Sequence, residues 1–441
     1  MDLAGRSGQV FKERIAPLFS NEPQRDKACH GPDHSPKSRD ESKSKSGKVL
    51  YYGVCAIFFF IPVSVSPSSI AEGLVLAVWI LSGRFVRDIA FIRQKWAWPI
   101  VVMMVLPWAG LLYSGDVATG LRFAEKTHYW LFSFVVAGVV SSGFNADNFL
   151  KFFIAGVSFT SLVFLGQLAG IIYRPNQYWA GVFGNWAHIE LSLLTTFSIV
   201  LLSFLFAKAK KAKTKRLCLG LMLLQSAALA FLLTDSGHLA FILLTPVIAY
   251  NLLSGKRKNL KWAFVASVLM VGALLLSPVV QGRLKEVIHD TRDYAKGRIL
   301  TPLGFHYYMW EGAIRIFAGH PLIGAGTGGY AYFMNKMRKP GIPRVVHPQN
   351  TVLYMASSYG IAGVILLISL WALPLGAGWR RRDSLQGFAL LVFMAVLSVG
   401  SLTDTQIMSH QSGMLFAIFC GIALAIPKRS PDNVIPRRPA E

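Results

Sequence analysis

The chain has 441 residues, 53% of them hydrophobic and 15% charged, with a formal net charge of +23. A soluble domain of this size would carry about 25% charge, so the composition argues against a water-soluble globule and for a polytopic membrane protein. The basic excess is not a nucleic-acid signature, because much of it lies in short loops between apolar runs, where the positive-inside rule accounts for it. Four cysteines, Cys29, Cys55, Cys218 and Cys420, show no metal-ligand or disulfide spacing.

Residues 1–48 are polar, carry charges of both signs and lack an apolar core of signal-peptide type. They are expected to form a disordered cytoplasmic tail. Twelve apolar runs follow, at about 50–66, 69–83, 98–113, 127–142, 149–173, 187–207, 217–234, 237–254, 262–280, 351–376, 385–402 and 411–427. The expected fold is an all-α polytopic membrane bundle of about 12 transmembrane helices over residues 49–427, with a second tail at 428–441. Arg84, Arg87, Arg93 and Lys95 follow run 2, KAKKAKTKR (208–216) follows run 6, GKRKNLK (255–261) follows run 8, and Arg380 to Arg382 follow run 10. All these loops fall on one side. Both termini are therefore expected in the cytoplasm, and the long segment 281–350, between spans 9 and 10, on the periplasmic face. KAKKAKTKR reads as an orientation signal rather than a ligand site.

The 281–350 segment is cationic. It carries Arg283, Lys285, Arg292, Lys296, Arg298, Arg315, Lys336, Arg338, Lys339 and Arg344 against Glu286, Asp290, Asp293 and Glu311. Such a surface beside a membrane suits a phosphate ligand. Phe305, Met309, Gly312, Ala313 and Ile316 share helical spacing, which predicts a helix lying at the interface or folded back into the bundle. HPLIGAGTGGY (320–330) follows. Its glycines permit positive φ and close approach, so it reads either as a structural turn or as a backbone wall for a sugar-phosphate. Without a strand before it and a helix after it in a βαβ unit, it is not a dinucleotide-binding loop. Arg122 and Lys126, in GLRFAEKTHYW, are cations on the face where orientation does not require them. His188 and Glu190 border an apolar span, where ionisable groups tend to be functional or paired.

The run from Leu303–Gly304 through Trp310, HPLIGAGTGGY, HPQN (347–350) and YGIAG (359–363) resembles the O-antigen ligase and polymerase superfamily, as does GVFGNWAH (181–188). The resemblance implies a metal-independent membrane glycosyltransferase without cofactors. Such an enzyme moves a glycan from undecaprenyl pyrophosphate to an acceptor at the periplasmic face of the bacterial inner membrane. The acceptor is lipid A-core in the ligase-like branch favoured here, another repeat unit in polymerases, and protein in a third branch. Its partners would be the lipid-linked glycan, the acceptor and membrane lipids, with no nucleic acid.

Such enzymes commonly place two arginines near the pyrophosphate and a histidine near the acceptor hydroxyl. At the first arginine position this chain has Gly237, between Ser236 and His238 in LTDSGHLAF; at the second it has His306, four residues before Trp310. At the histidine position it has Gln349, followed by Asn350, and the nearest histidine is His347. The implied catalytic set is therefore His347, Gln349, Asn350 and His306. The implied donor-binding set is Arg122, Lys126, His188, His238, Arg315, Arg338 and Arg344, with Asp235 bordering the same position although its charge opposes pyrophosphate.

Three readings stay open. His347 takes the base role through a shifted register, with His238, His306 and the remaining arginines replacing the lost cations; or the chain serves another acceptor; or it keeps the fold as a non-catalytic membrane scaffold. A transporter would need repeated halves and sites at midplane, and neither is visible in the sequence.

Overall fold

The computed structural model describes residues 44–174, 188–232, 234–253, 260–275, 278–338 and 340–426. The terminal tails other than residues 44–48, GVFGNWA (181–187), most of the 254–261 loop, and Lys339 lie outside the described residues. The described residues are helical, without strands. In chain order the helices are α1 (Lys45–Phe60), α2 (Val65–Leu81), α3 (Arg84–Asp88), α4 (Trp98–Ala109), α5 (Val117–Ala124), α6 (Leu131–Ser141), α7 (Asp147–Leu168), α8 (His188–Lys208) and α9 (Ala212–Phe231). They continue with α10 (Asp235–Leu252), α11 (Leu260–Leu275), α12 (Pro278–Ala295), α13 (Pro302–Gly319), α14 (Gly329–Lys336), α15 (Thr351–Arg380), α16 (Leu385–Thr403) and α17 (His410–Ala425).

A helix occupies each apolar run, but length and composition assign fewer crossings than runs. Five helices, α7, α8, α9, α15 and α16, are long and apolar enough to cross a membrane alone. A sixth crossing is possible if Arg84–Arg93 and Trp98–Tyr113, bent by 102°, form one broken span. Large apolar side chains such as Ile361, Ile365, Ile368 and Leu375 on α15 point outward, as lipid-facing helices require. The chain is a multi-pass helical membrane protein.

The interior is held by aromatic packing. Phe393 and Phe419 stack at 4.5 Å, and Phe197 packs against both at 5.6 and 5.7 Å. Phe153 packs on Phe197 at 5.3 Å, and Phe58 joins Phe149 at 5.5 Å and Phe419 at 6.3 Å. These rings tie α1, α7, α8, α16 and α17 into one core. Met309, Ala313, Ile316, Tyr330, Met334 and Val345 make a separate small core under α13 and α14. The apolar face expected on α13 is thus turned inward, with Phe305 packed at its edge. Thr301 caps α13 through Gly304 N, Asn350 caps α15 through Leu353 N and Ser409 caps α17 through Ser412 N, each satisfying a helix-start amide that has no partner within its helix.

Helix α15 is broken at Gly360, whose φ of 64° and ψ of −152° are not helical. The break removes the bonds that Ile361 N and Ala362 N would make to Ser357 O and Ser358 O. The glycine-rich loop supplies substitutes for all four groups. Ala325 N donates to Ser357 O and Gly326 N to Ser358 O, both at 2.9 Å, while Ile361 N donates to Pro321 O at 2.8 Å and Ala362 N to Leu322 O at 3.5 Å. Thr327 extends the contact, its N bonding Gly110 O and its hydroxyl bonding Pro107 O and Tyr359. HPLIGAGTGGY is therefore a clasp that restores the ladder of a broken helix, as backbone groups away from water require. The amides of residues 324–327 are directed at protein carbonyls, so the structural alternative holds for them and the phosphate wall does not.

Three of the segments placed on one side by the positive-inside reading, the start of α1, the turn between α2 and α3 and the connection between α6 and α7, lie together. Arg84 reaches Ser44 and Ser142, and Tyr51 reaches Asn145 and Asn148, at the basic end. At the opposite end Tyr113 bonds Ile323 O, Arg344 pairs with Asp116, Lys126 bonds Met408 O and Ser236 bonds Thr403. Location reporters fused at Ala212, Lys258 and Arg381 are expected to read cytoplasmic, and those at Ala295 and Pro340 periplasmic. A periplasmic signal at Ala212 would overturn this orientation.

Candidate functional site

At the end opposite the basic loops, four distant stretches bring ionisable side chains together. His347 comes from the loop before α15 and His306 from the second turn of α13. Lys126 lies on the 3-10 turn Glu125–Trp130, and Asp404 begins the short connection between α16 and α17. Asp404 is the common neighbour: His347, His306 and Lys126 all lie within its electrostatic range.

Local chemistry fixes each group. The Lys126 ammonium donates to Met408 O at 2.5 Å, which holds it against the α16–α17 connection. Burial lowers its pKa, while the nearby Asp404 and Glu190 oppose the shift. Thr405 Oγ1 lies 3.1 Å from His347 Nδ1, and Thr405 N donates to Asp404 Oδ1 at 2.7 Å. Thr351 Oγ1 donates to Asp404 O and accepts from Gln406 N, so the connection is pinned to the start of α15. Burial also lowers the His347 pKa; Asp404 opposes this and Lys126 adds to it. Nδ1 faces both the Thr405 hydroxyl and the Gln349 amide; in the tautomer that carries its hydrogen on Nδ1 and donates to Thr405, Nε2 is the nitrogen that can take a proton.

Gln349 stands at φ +49°, the one non-glycine residue with positive φ among the described residues. Left-handed backbone at a bulky residue carries strain, and such strain collects at functional sites. Its amide approaches His347 Nδ1 at 3.4 Å, the limit of a hydrogen bond. Pro348 and this turn carry the imidazole back toward Asp404 and Thr405, two residues before the position at which the family resemblance seeks it. Asn350 is fully engaged: Oδ1 caps α15 and Nδ2 donates to Leu402 O at 3.2 Å.

His306 Nδ1 and Trp310 Nε1 are buried without a hydrogen-bond partner, their rings 5.9 Å apart, and both polar ends of Gln406 are likewise unsatisfied. Burial lowers the His306 pKa, opposed by Asp404 and Asp235. Buried polar atoms without partners are costly, so this cluster is suited to a polar ligand.

Most of the expected donor-binding side chains point elsewhere. Arg315 pairs with Glu311 on the exposed side of α13, Arg344 pairs with Asp116 at 3.1 Å, and Arg338 donates to Ile342 O at 2.9 Å. Thr119 and Arg344 hold the Asp116 carboxylate below its usual range, the Thr119 amide contributing most. His238 lies between two backbone carbonyls, Thr234 O at 2.5 Å and Leu229 O at 2.9 Å. His188 is buried against Phe164, while Arg122 and Asp235 are exposed. Of that set, Lys126 is the residue the structure brings to His347 and Asp404. The first arginine position is closed as well: a Cβ on Gly237 would overlap the Ser192 side chain.

Two groups were missed in the sequence. Asp404 and Thr405 sit in a short connection whose partner, His347, is more than fifty residues away, so no local pattern marks them. Glu72 is a buried carboxylate inside an apolar run, which is a readable signal. Ser68 donates to it at 2.8 Å, and His410 Nε2 lies 3.2 Å away but off the hydrogen-bond direction. His410 Nδ1 reaches Tyr129 OH at 3.2 Å, tying α2 and α17 to the turn that carries Lys126.

Residues 217–368 match the family model described as O-antigen ligase. No curated protein matches the chain. The matched stretch runs from α9 into α15 and contains Gly237, His306, the clasp, His347 and Gln349, while Lys126 and Asp404 lie outside it. Over this stretch, about a third of its length, the chain is similar to the O-antigen ligase family.

Proposed function

We propose that this protein is an O-antigen ligase-like glycosyltransferase with twelve crossings and cytoplasmic termini. It moves a glycan from undecaprenyl pyrophosphate to lipid A-core at the periplasmic face of the inner membrane. The observation that carries this reading is the convergence of His347, His306, Lys126 and Asp404 on one partly unsatisfied polar cluster. The acceptor hydroxyl oxygen attacks the anomeric carbon while the bond from that carbon to the pyrophosphate oxygen breaks. His347 Nε2 takes the hydroxyl proton. Lys126 and the unpartnered donors at His306 and Trp310 meet the charge that develops on the departing lipid pyrophosphate. Asp404 and Thr405 hold the imidazole in orientation, and Gln349 shapes the turn.

The test is glycan transfer from undecaprenyl pyrophosphate to lipid A-core in membranes lacking the resident ligase. Lys126→Gln is expected to reduce transfer by about 10–150-fold, the value of one charge-assisted contact of roughly 1.5–3 kcal/mol. The Arg338→Ala, Arg344→Ala double variant should change it by less than about fivefold, since exposed ion pairs contribute roughly 0–1 kcal/mol. The reverse ranking would place the donor on the loop cations instead.

A second reading has one observation in its favour. Gly237, closed against Ser192, cannot be replaced by the usual arginine without moving α8, as a scaffold that has lost transferase chemistry would tolerate. Absence of transfer to lipid A-core, glycan repeat units and protein acceptors alike, in wild type and in Gln349→His, would establish the scaffold.

A further inference from the structure

The basic end of the bundle holds a cavity of about 490 Å³ unrelated to the cluster above. Its walls come from α15 and α17, with Leu373, Gly376, Leu424 and Ile426 among the lining residues, and its rim carries Lys95 and Arg380. Both cations are exposed and make no hydrogen bond or ion pair with another described residue. Arg380 closes the last turn of α15, and its guanidinium lies back over Gly376, with Nη1 3.6 Å from where a Cβ on that glycine would stand. A larger side chain at position 376 would push the guanidinium off the groove and fill its floor.

A rim of two unneutralised cations above an apolar trough, between helices at the membrane boundary, matches an amphiphile with an anionic head. We propose that this cavity binds an anionic phospholipid of the adjacent leaflet. Its phosphate sits between Lys95 and Arg380, and the first part of one acyl chain lies along Leu373, Gly376 and Leu424. The residues after Ile426 are the competing occupant within the chain. That segment carries Lys428, Arg429, Arg437 and Arg438 against Asp432 and Glu441, so its net positive charge opposes the same rim. The lipid is favoured by charge.

The experiment is native mass spectrometry of the purified full-length protein titrated with phosphatidylglycerol, phosphatidylcholine or soluble glycerol phosphate. Wild type is expected to retain phosphatidylglycerol in preference to phosphatidylcholine, and glycerol phosphate should not displace it. Lys95→Gln with Arg380→Gln should weaken phosphatidylglycerol binding roughly 30-fold, from the loss of two surface cations beside an anionic headgroup. Gly376→Leu should weaken it while both charges remain. Lys211→Gln with Lys213→Gln, at the same end but away from the cavity, should leave it unchanged. Wild-type binding in the Lys95, Arg380 double variant would overturn the site. Displacement by glycerol phosphate would show a phosphate site and overturn the lipid. Tighter binding after removal of residues 427–441 would show that the tail occupies the groove, and overturn it equally.

Discussion

Replacing His347 with alanine is expected to lower glycan transfer by roughly 10²–10⁴-fold, the usual worth of general-base help. Gln349→Ala should leave transfer measurable, because an amide side chain cannot take the proton. Gln349→His should be neutral or faster: the position is left-handed at φ +49°, a conformation that histidine visits more readily than most residues. Full transfer in His347→Ala would remove His347 as the base.

The pH dependence gives this prediction a sign. Burial lowers the His347 pKa, so its base form builds up at lower pH than that of an ordinary imidazole. Transfer should therefore rise with pH and level off at a lower pH than an ordinary imidazole base would give. Asp404 opposes the lowering and Lys126 reinforces it. Asp404→Asn should accordingly move the plateau to lower pH, and Lys126→Gln should move it to higher pH. A merely structural role for either residue would reduce the rate without displacing the profile.

Gly360→Ala is expected to be strongly destabilising. The residue occupies φ 64° and ψ −152°, a region open essentially to glycine, so backbone strain alone costs about 1–3 kcal/mol. The added methyl would also strike the backbone of Pro321 and Leu322, the part of the clasp that accepts from Ile361 N and Ala362 N. The apparent melting temperature in detergent should fall by several degrees and transfer should be lost with it, because the clasp sits between α13 and the start of α15. Gly324→Ala should behave alike, since its methyl would meet the backbone at Ser358 and Tyr359. Gly220→Ala is the control: nothing lies within 4 Å of its Cβ position on α9, so it should be neutral or stabilise by up to about 1 kcal/mol. An unchanged melting temperature in Gly360→Ala would mean that the loop does not support the broken helix.

What the sequence by itself determined are the properties that depend on neighbours in the chain. Apolar runs became helices because hydropathy and helical hydrogen bonding are local. The inward face of α13, with Met309, Ala313 and Ile316, followed from spacing alone. Loop charges sorted the segments into two groups, and the contacts of Arg84 with Ser44 and Ser142, and of Lys126 with Met408, each join segments of one group. Even the likeness to the O-antigen ligase family over residues 217–368 was legible, because its signature is contiguous from Leu303 to Gly363.

Tertiary structure alone decided which of these residues meet. The glycines of 320–330 could have cradled an anion, until Ser357 and Ser358 arrived with carbonyls left open by the break at Gly360. Arg315, Arg338 and Arg344 looked equivalent to Lys126 as cations. The first three found Glu311, Ile342 O and Asp116 near the surface, while packing of α17 against the 125–130 turn drew Lys126 to Met408 O. Asp404 and Thr405 reach His347 because α16 and α17 place their connection over the start of α15. That contact spans more than fifty residues and is set by where helices pack, a sum of long-range terms that no local pattern encodes.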